Sequence, residues 1–251
     1  MFDILKAKES FMNYVRQFDL TNDKIHLKLV HTLEVVHTTE YLCHHENITG
    51  VERDLAYLIA LLHDIGRFEQ IKRFNSFDDR NIDHAKLGVQ VLFKEGMIRN
   101  FIDDDQYDEI IEKAIAYHSL YKIPNNLLKQ VLLIRDSDKL DNFRVKNIES
   151  IQTLFSISDA DFYSQRVSQN ILKDIENHTL ILKENRHNEV DMWVSYMAFV
   201  FDLNFKSSYL FIRENDYIHR NMERLHFTGD LKEDMLFVEK TCQSYIEEKC
   251  M

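Results

Sequence analysis

Four histidines and two aspartates in this chain fall where a buried helix face would carry only apolar residues. His63 and Asp64 close the run Leu58, Ile59, Ala60, Leu61, Leu62 and stand just before Gly66. His31 lies one turn from Leu27 and from Val35. His84 is in line with Leu87, Gly88 and Val91, His118 with Ile111, Ala114 and Ile115, and Asp138 with Val131 and Ile134. On helices, all six occupy the inward stripe. Burying such a group without a partner costs on the order of a few kcal/mol. One of them alone is ordinary, because a core histidine usually finds a hydrogen bond and Asp138 could pair with Arg135. Six on successive helices cannot all satisfy one another. Neutral nitrogens combined with hard anionic oxygens suit a divalent Zn, Mn, Fe or Ni ion, so the sequence predicts that they share a metal centre.

The elements that must bring them together are helices. The chain has 251 residues but only five glycines and one proline, too little turn chemistry for a β-rich fold, and the class expected is all-α. The periodicity predicts a first segment over Phe2 to Phe18. A second helix follows over about Lys24 to His45, with Asp23 as N-cap, and a third over about Glu52 to Ile65 that stops at Gly66. A mixed loop covers residues 67–83. Further helices are expected over about Asp83 to Glu95, Asp105 to Ser119 and Asn126 to Asn142. About four more follow, with breaks near Ser156–Asp159, Glu184–Asn188 and Thr228–Asp230. With no linker-like shift in composition, the expectation is a single domain over 1–251. Its metal-binding core spans 24–142, with a C-terminal helical layer over 143–251.

Composition narrows the partners. A net charge of −11 argues against duplex nucleic acid, whose affinity rests on Lys and Arg, but leaves room for a small phosphate ester needing two or three local cations. Cys43, Cys242 and Cys250, without a CxxC pair, read as free thiols of a reducing compartment. The opening ten residues mix acids and bases, so no signal peptide is expected there. No apolar run approaches the roughly 20 residues of a bilayer span. The expectation is a soluble, cytoplasmic protein without a membrane partner.

The ordered set His31, His63-Asp64, His84, His118, Asp138 resembles the HD-domain superfamily of metal-dependent phosphohydrolases over about residues 24–142. The stretch "SDKLDN" resembles the "ADKLDN"-type end of that motif and selects Asp138 over Asp136 and Asp141. His84 and His118 match the extra histidines of members that hold two metals. "FDLNF" near residue 203 is similar to a subgroup of bacterial HD proteins. The resemblance implies an HD-domain-like helical bundle. It implies a first divalent ion on His31, His63, Asp64 and Asp138, and a second on His84 and His118, with Asp64 bridging. The ions would be Mn, Fe, Ni, Co or Zn. It implies hydrolysis of a phosphomonoester or phosphodiester of a nucleotide or other small metabolite by a hydroxide held between the two ions.

Asp64 and Arg67 are the expected catalytic residues. Arg67, following Gly66, could turn back over the metals and grip a phosphate, and Lys28, Arg73 and Lys139 are further substrate-binding candidates; Lys72 and Arg80 read more simply as solvated charges. The acids of "FDDRNID" read as turn and cap residues, and Glu34 and Glu69 as exposed or as partners of a ligating histidine. Trp193, Tyr196, Phe199, Phe201 and Phe205 read as core, or as a roof over the metal cleft. Two other readings share the ligand set: a mixed-valent di-iron oxygenase of the same superfamily, and a nucleotide-binding module without turnover.

Overall fold

Side-chain caps set many of the helix starts. In the computed structural model, which describes residues 3–77, 79, 82–124 and 126–251, Asp3 caps α1 (Ile4–Val15) and Asp83 caps α5 (His84–Val89) by accepting first-turn N–H groups. Phe2 and Arg80 lie outside the described residues. Asn22, rather than the expected Asp23, caps α2 (Asp23–His45): its Oδ1 accepts from Lys24 and Ile25. Asp23 instead begins the helix, where its charge favours the N-terminal dipole. Three more helices follow in this half of the chain, α3 (Gly50–Leu62), α4 (Ile65–Phe74) and α6 (Asp108–Tyr117), before α7 (Lys129–Ile148). All described residues are in helices, turns or loops, with no strand among them.

The stretch after Gly66, expected as a loop, is α4. Its apolar side consists mainly of Ile65, Phe68 and Ile71, all buried, and the charged residues between them hide the period. Phe68 anchors it, with Phe11, Tyr14 and Phe18 at ring distances of 5.9, 6.1 and 5.6 Å. Gly66 therefore does not end a helix but sits inside one. A Cβ at Gly66 would fall 2.3 Å from the carbonyl oxygen of His84 and 2.5 Å from the nitrogen of Gly88. The backbones of α4 and α5 thus touch directly. Gly88 in turn faces Ile115 of α6, whose Cγ2 would lie 3.2 Å from an added Cβ.

The chain divides, within α7, into two units, Met1–Asp138 and Lys139–Met251. In the first, α3 packs against α1, α2 and α6, while α5 packs between α4 and α6. Val35, Leu58, Ile59, Leu62, Phe68, Ile111, Ile115, Val131 and Ile134 belong to one continuous core. Thr39 ties α2 to α7 by donating to the Ser137 hydroxyl at 2.8 Å.

The second unit holds α8 (Ile151–Phe155), α9 (Asp159–Tyr163), α10 (Gln169–Glu176), α11 (Glu189–Met197), α12 (Lys206–Glu214), α13 (Tyr217–Glu223) and α14 (Gly229–Cys250). That is more than the four expected: the break near Ser156–Asp159 is present, with Ser156 at positive φ and Ser158 capping α9, but further breaks fall at Ser150, which caps α8, and at Asp216, whose positive φ separates α12 from α13. Helices α10 to α13 pack on α14 through its stripe Leu231, Met235, Val238, Cys242 and Ile246. Buried Asp191 accepts from Ser168 N and Oγ and from His187 N at 2.7–2.9 Å, so it is a structural acid. No helix among the described residues is long and apolar enough to cross a membrane.

Replacing Gly66 by Ala forces backbone against backbone, which overpacking data place at about 2 kcal/mol or more of lost stability. Urea unfolding should show a clearly lowered midpoint for Gly66→Ala, and an unchanged midpoint would contradict the close α4–α5 crossing.

Candidate metal centre

Three of the four histidines stand at helix ends, and those ends determine which ring nitrogen is free. His63 follows the last residue of α3 and His118 the last residue of α6. Each points Nδ1 at the carbonyl three residues earlier, Ala60 and Ile115, at 2.7 Å. A carbonyl only accepts, so Nδ1 carries the proton and Nε2 a lone pair. His84 opens α5 and donates Nδ1–H to Asp79 Oδ1 at 2.8 Å. The rings are held neutral. Burial pushes His118 down to about 4, helped by nearby His63. It pushes His84 to about 4 with the help of Arg67, and lowers His63 as well.

The bare nitrogens converge. His84 Nε2 and His118 Nε2 are 3.1 Å apart, and lie 3.5 and 3.8 Å from Asp64 Oδ1. On the other side, His31 Nε2 and His63 Nε2 lie 3.7 and 3.6 Å from Asp64 Oδ2. Asp138 Oδ1 is 3.1 Å from His31 Nε2 and 4.0 Å from His63 Nε2. The five side chains other than Asp138 are buried, whereas that of Asp138 is 19% exposed.

The α3–α4 junction explains the position of Asp64. Only His63 and Asp64 separate the two helices, and Asp64 is the N-cap of α4 without making a side-chain capping bond. Its carboxylate is therefore free to face the histidines. Burial alone would raise its pKa. Lys28, whose Nζ is 2.6 Å from Oδ2, outweighs burial together with His63, His84 and Arg67, and the carboxyl is held well below its usual range. At Asp138, burial is likewise outweighed by the close approach of His31, with His63 adding to it, and the carboxyl stays low.

These donors fit a divalent cation. His31, His63 and Asp64 offer ligand atoms within 4.8 Å of one another, and so do Asp64, His84 and His118. His63 Nε2 is buried with no hydrogen-bond partner among the described residues. Two unprotonated nitrogens 3.1 Å apart repel each other, yet that is about the spacing of two imidazoles each roughly 2 Å from one ion. The chain thus carries His/Asp groups able to bind divalent metal.

Other residues singled out in the sequence have partners of their own. Arg67 Nη1 donates to Asp79 Oδ1 at 2.8 Å, Gln70 Oε1 at 2.7 Å and the Phe77 carbonyl at 3.0 Å. Its Nε, 3.7 Å from Asp64 Oδ1, has no hydrogen-bond partner among the described residues. Arg73 is half exposed and pairs with Glu69 at 3.3 Å. In the second unit, Lys139 Nζ lies 2.9 Å from Asp202. Glu34 faces His37 at 3.4 Å. Asp83 is a cap, as the acids of its segment were expected to be, but Asp79 is a partner of His84. Arg135 entered the sequence reading only as a possible partner for Asp138. Buried to 1% exposure, it donates to the carbonyls of Tyr117, His118 and Leu120, clamping the end of α6 to the helix that carries Asp138. The available signal was an arginine one turn before Asp138 in an otherwise apolar stretch.

The family model for the HD domain matches residues 29–142. No curated protein and no solved structure matches the chain. The matched span includes His31 to Asp138, all six of the clustered side chains. Over residues 29–142, just under half of the chain, this protein is similar to the HD domain.

Proposed function

We propose that the chain is a phosphohydrolase with two divalent ions at this centre, cleaving a phosphomonoester or phosphodiester of a nucleotide or other small metabolite. The observation that carries the reading is the division of labour at Asp64: Oδ2 faces His31 and His63, and Oδ1 faces His84 and His118. One ion would be held by His31, His63, Asp64 and Asp138, the other by Asp64, His84 and His118. When bound, such ions activate water and neutralise charge growing on a phosphoryl group.

The side chains supply the rest. Lys28, 13% exposed and against Asp64 Oδ2, is the internal counter-ion of that carboxylate. Were cations to neutralise that carboxylate, the Lys28 ammonium would be available to donate to a phosphoryl oxygen. Arg67, fixed through its Nη atoms by Asp79, turns its remaining Nε–H toward the Oδ1 side. Two cations flanking one carboxylate suit an anionic substrate. The low exposure of the ligands keeps bulk water from competing for the reacting group.

Three measurements test this reading. Protein loaded with Mn, Co or Ni should release p-nitrophenol from p-nitrophenyl phosphate or bis-p-nitrophenyl phosphate. Two bound ions with a release rate equal to buffer would contradict it, and oxygen uptake with two irons per chain would favour the oxygenase. Metal analysis should find both ions lost from Asp64→Ala but one retained in His118→Ala, so equal losses in the two variants would refute the division at Asp64. Lys28→Met should raise KM roughly tenfold, the worth of about one charge-assisted hydrogen bond, with metal content intact. An unchanged KM would remove Lys28 from substrate binding.

A further inference from the structure

We propose that Asp79 is the positioning residue of the second ion's site, setting the tautomer and direction of His84 while linking that histidine to Arg67. The inference rests on the two-ion reading for its metal consequence, but its hold on His84 stands on geometry alone. His63 and His118 are oriented by carbonyls of their own helices, one turn back. His84 is the first residue of α5 and has no helical turn behind it. Its Nδ1–H needs an acceptor from elsewhere, and Asp79 Oδ1 supplies one at 2.8 Å.

Asp79 is itself gripped from α4. Arg67 reaches it with Nη1 at 2.8 Å and Nη2 at 3.5 Å. Gln70, fully buried, donates to it at 3.2 Å and to the Ile82 carbonyl at 2.8 Å. Gln70 Oε1 also accepts from Arg67 at 2.7 Å, so the two side chains brace each other. A carboxylate behind an imidazole does more than a carbonyl: it makes the opposite nitrogen a stronger base and hence a stronger ligand. Because Arg67 and His84 share one oxygen of Asp79, an anion drawing on Arg67 and an ion drawing on His84 are coupled, and the coupling is reciprocal.

The test has a metal-free arm and a metal arm. Long-range proton–nitrogen spectra of the metal-free chain should report His84 as the Nδ1–H tautomer in the wild type and in Asp79→Asn, whose amide oxygen still accepts. They should report a mixture of tautomers in Asp79→Ala. Calorimetric titration with Mn should find the second site of Asp79→Ala weakened roughly 10- to 100-fold, with the first site unchanged. Asp83→Ala, which removes the α5 cap without touching the His84 ring, should move neither readout. An unchanged tautomer in Asp79→Ala, or equal weakening of both sites, would overturn the proposal. A wild-type chain that takes up only one ion would refute the two-ion reading, while the metal-free spectra still decide whether Asp79 holds His84.

Discussion

A carboxylate buried among imidazoles is the constraint around which the first unit is built. An isolated Asp64 at 2% exposure would cost several kcal/mol, and the groups facing it keep its charge tolerable. Lys28 approaches from α2, Arg67 from α4, and the N-terminal dipole of α4 begins at Asp64 itself. The histidines add no charge while neutral. They add four nitrogens whose lone pairs or protons must be accommodated in the same small volume. Lys28, with Nζ 2.6 Å from Oδ2, is the counter-ion of that oxygen.

The helix ends aim the donors. A histidine one residue past the end of α3 or α6 can donate back to its own last turn and leave Nε2 pointing away from the helix. Arg135 then fastens the end of α6, and Thr39 and Ser137 fasten α2 to α7, so the elements bearing His31, His118 and Asp138 are held to one another by named bonds. Gly66 and Gly88 remove side chains where α4, α5 and α6 must approach, which brings His84 within reach of Asp64. The second unit uses the same economy. Arg224 donates to the carbonyls of Lys146 and Glu149 at the end of α7, and Asn221 to that of Phe143 at 3.0 Å.

What could be read in the sequence was the set of polar residues on apolar faces. Each lies in a helix long enough, or at a boundary sharp enough, for the period to show, and the HD-domain match covers the same span. What could not be read was everything that depends on tertiary partners. The α4 helix was hidden because three buried apolar residues in ten do not outweigh the charges between them. Asp79 was indistinguishable from the neighbouring acids, since only the fold brings it under His84. Arg67 was legible as a cation beside the centre, but not as one whose Nη atoms are already engaged. The break at Ser156–Asp159 was legible, but those at Ser150 and Asp216 were not, because a single serine cap and a single positive-φ aspartate interrupt the helices there without Gly or Pro to mark them.

Anomalous diffraction from crystals of the Mn-loaded protein addresses the central claim most directly. The account predicts two peaks about 3.5–4 Å apart, one against each oxygen of Asp64. The peak at Oδ2 should fall among His31, His63 and Asp138, and the peak at Oδ1 between His84 and His118. A single peak, or peaks that leave Asp64 in contact with neither, would contradict it.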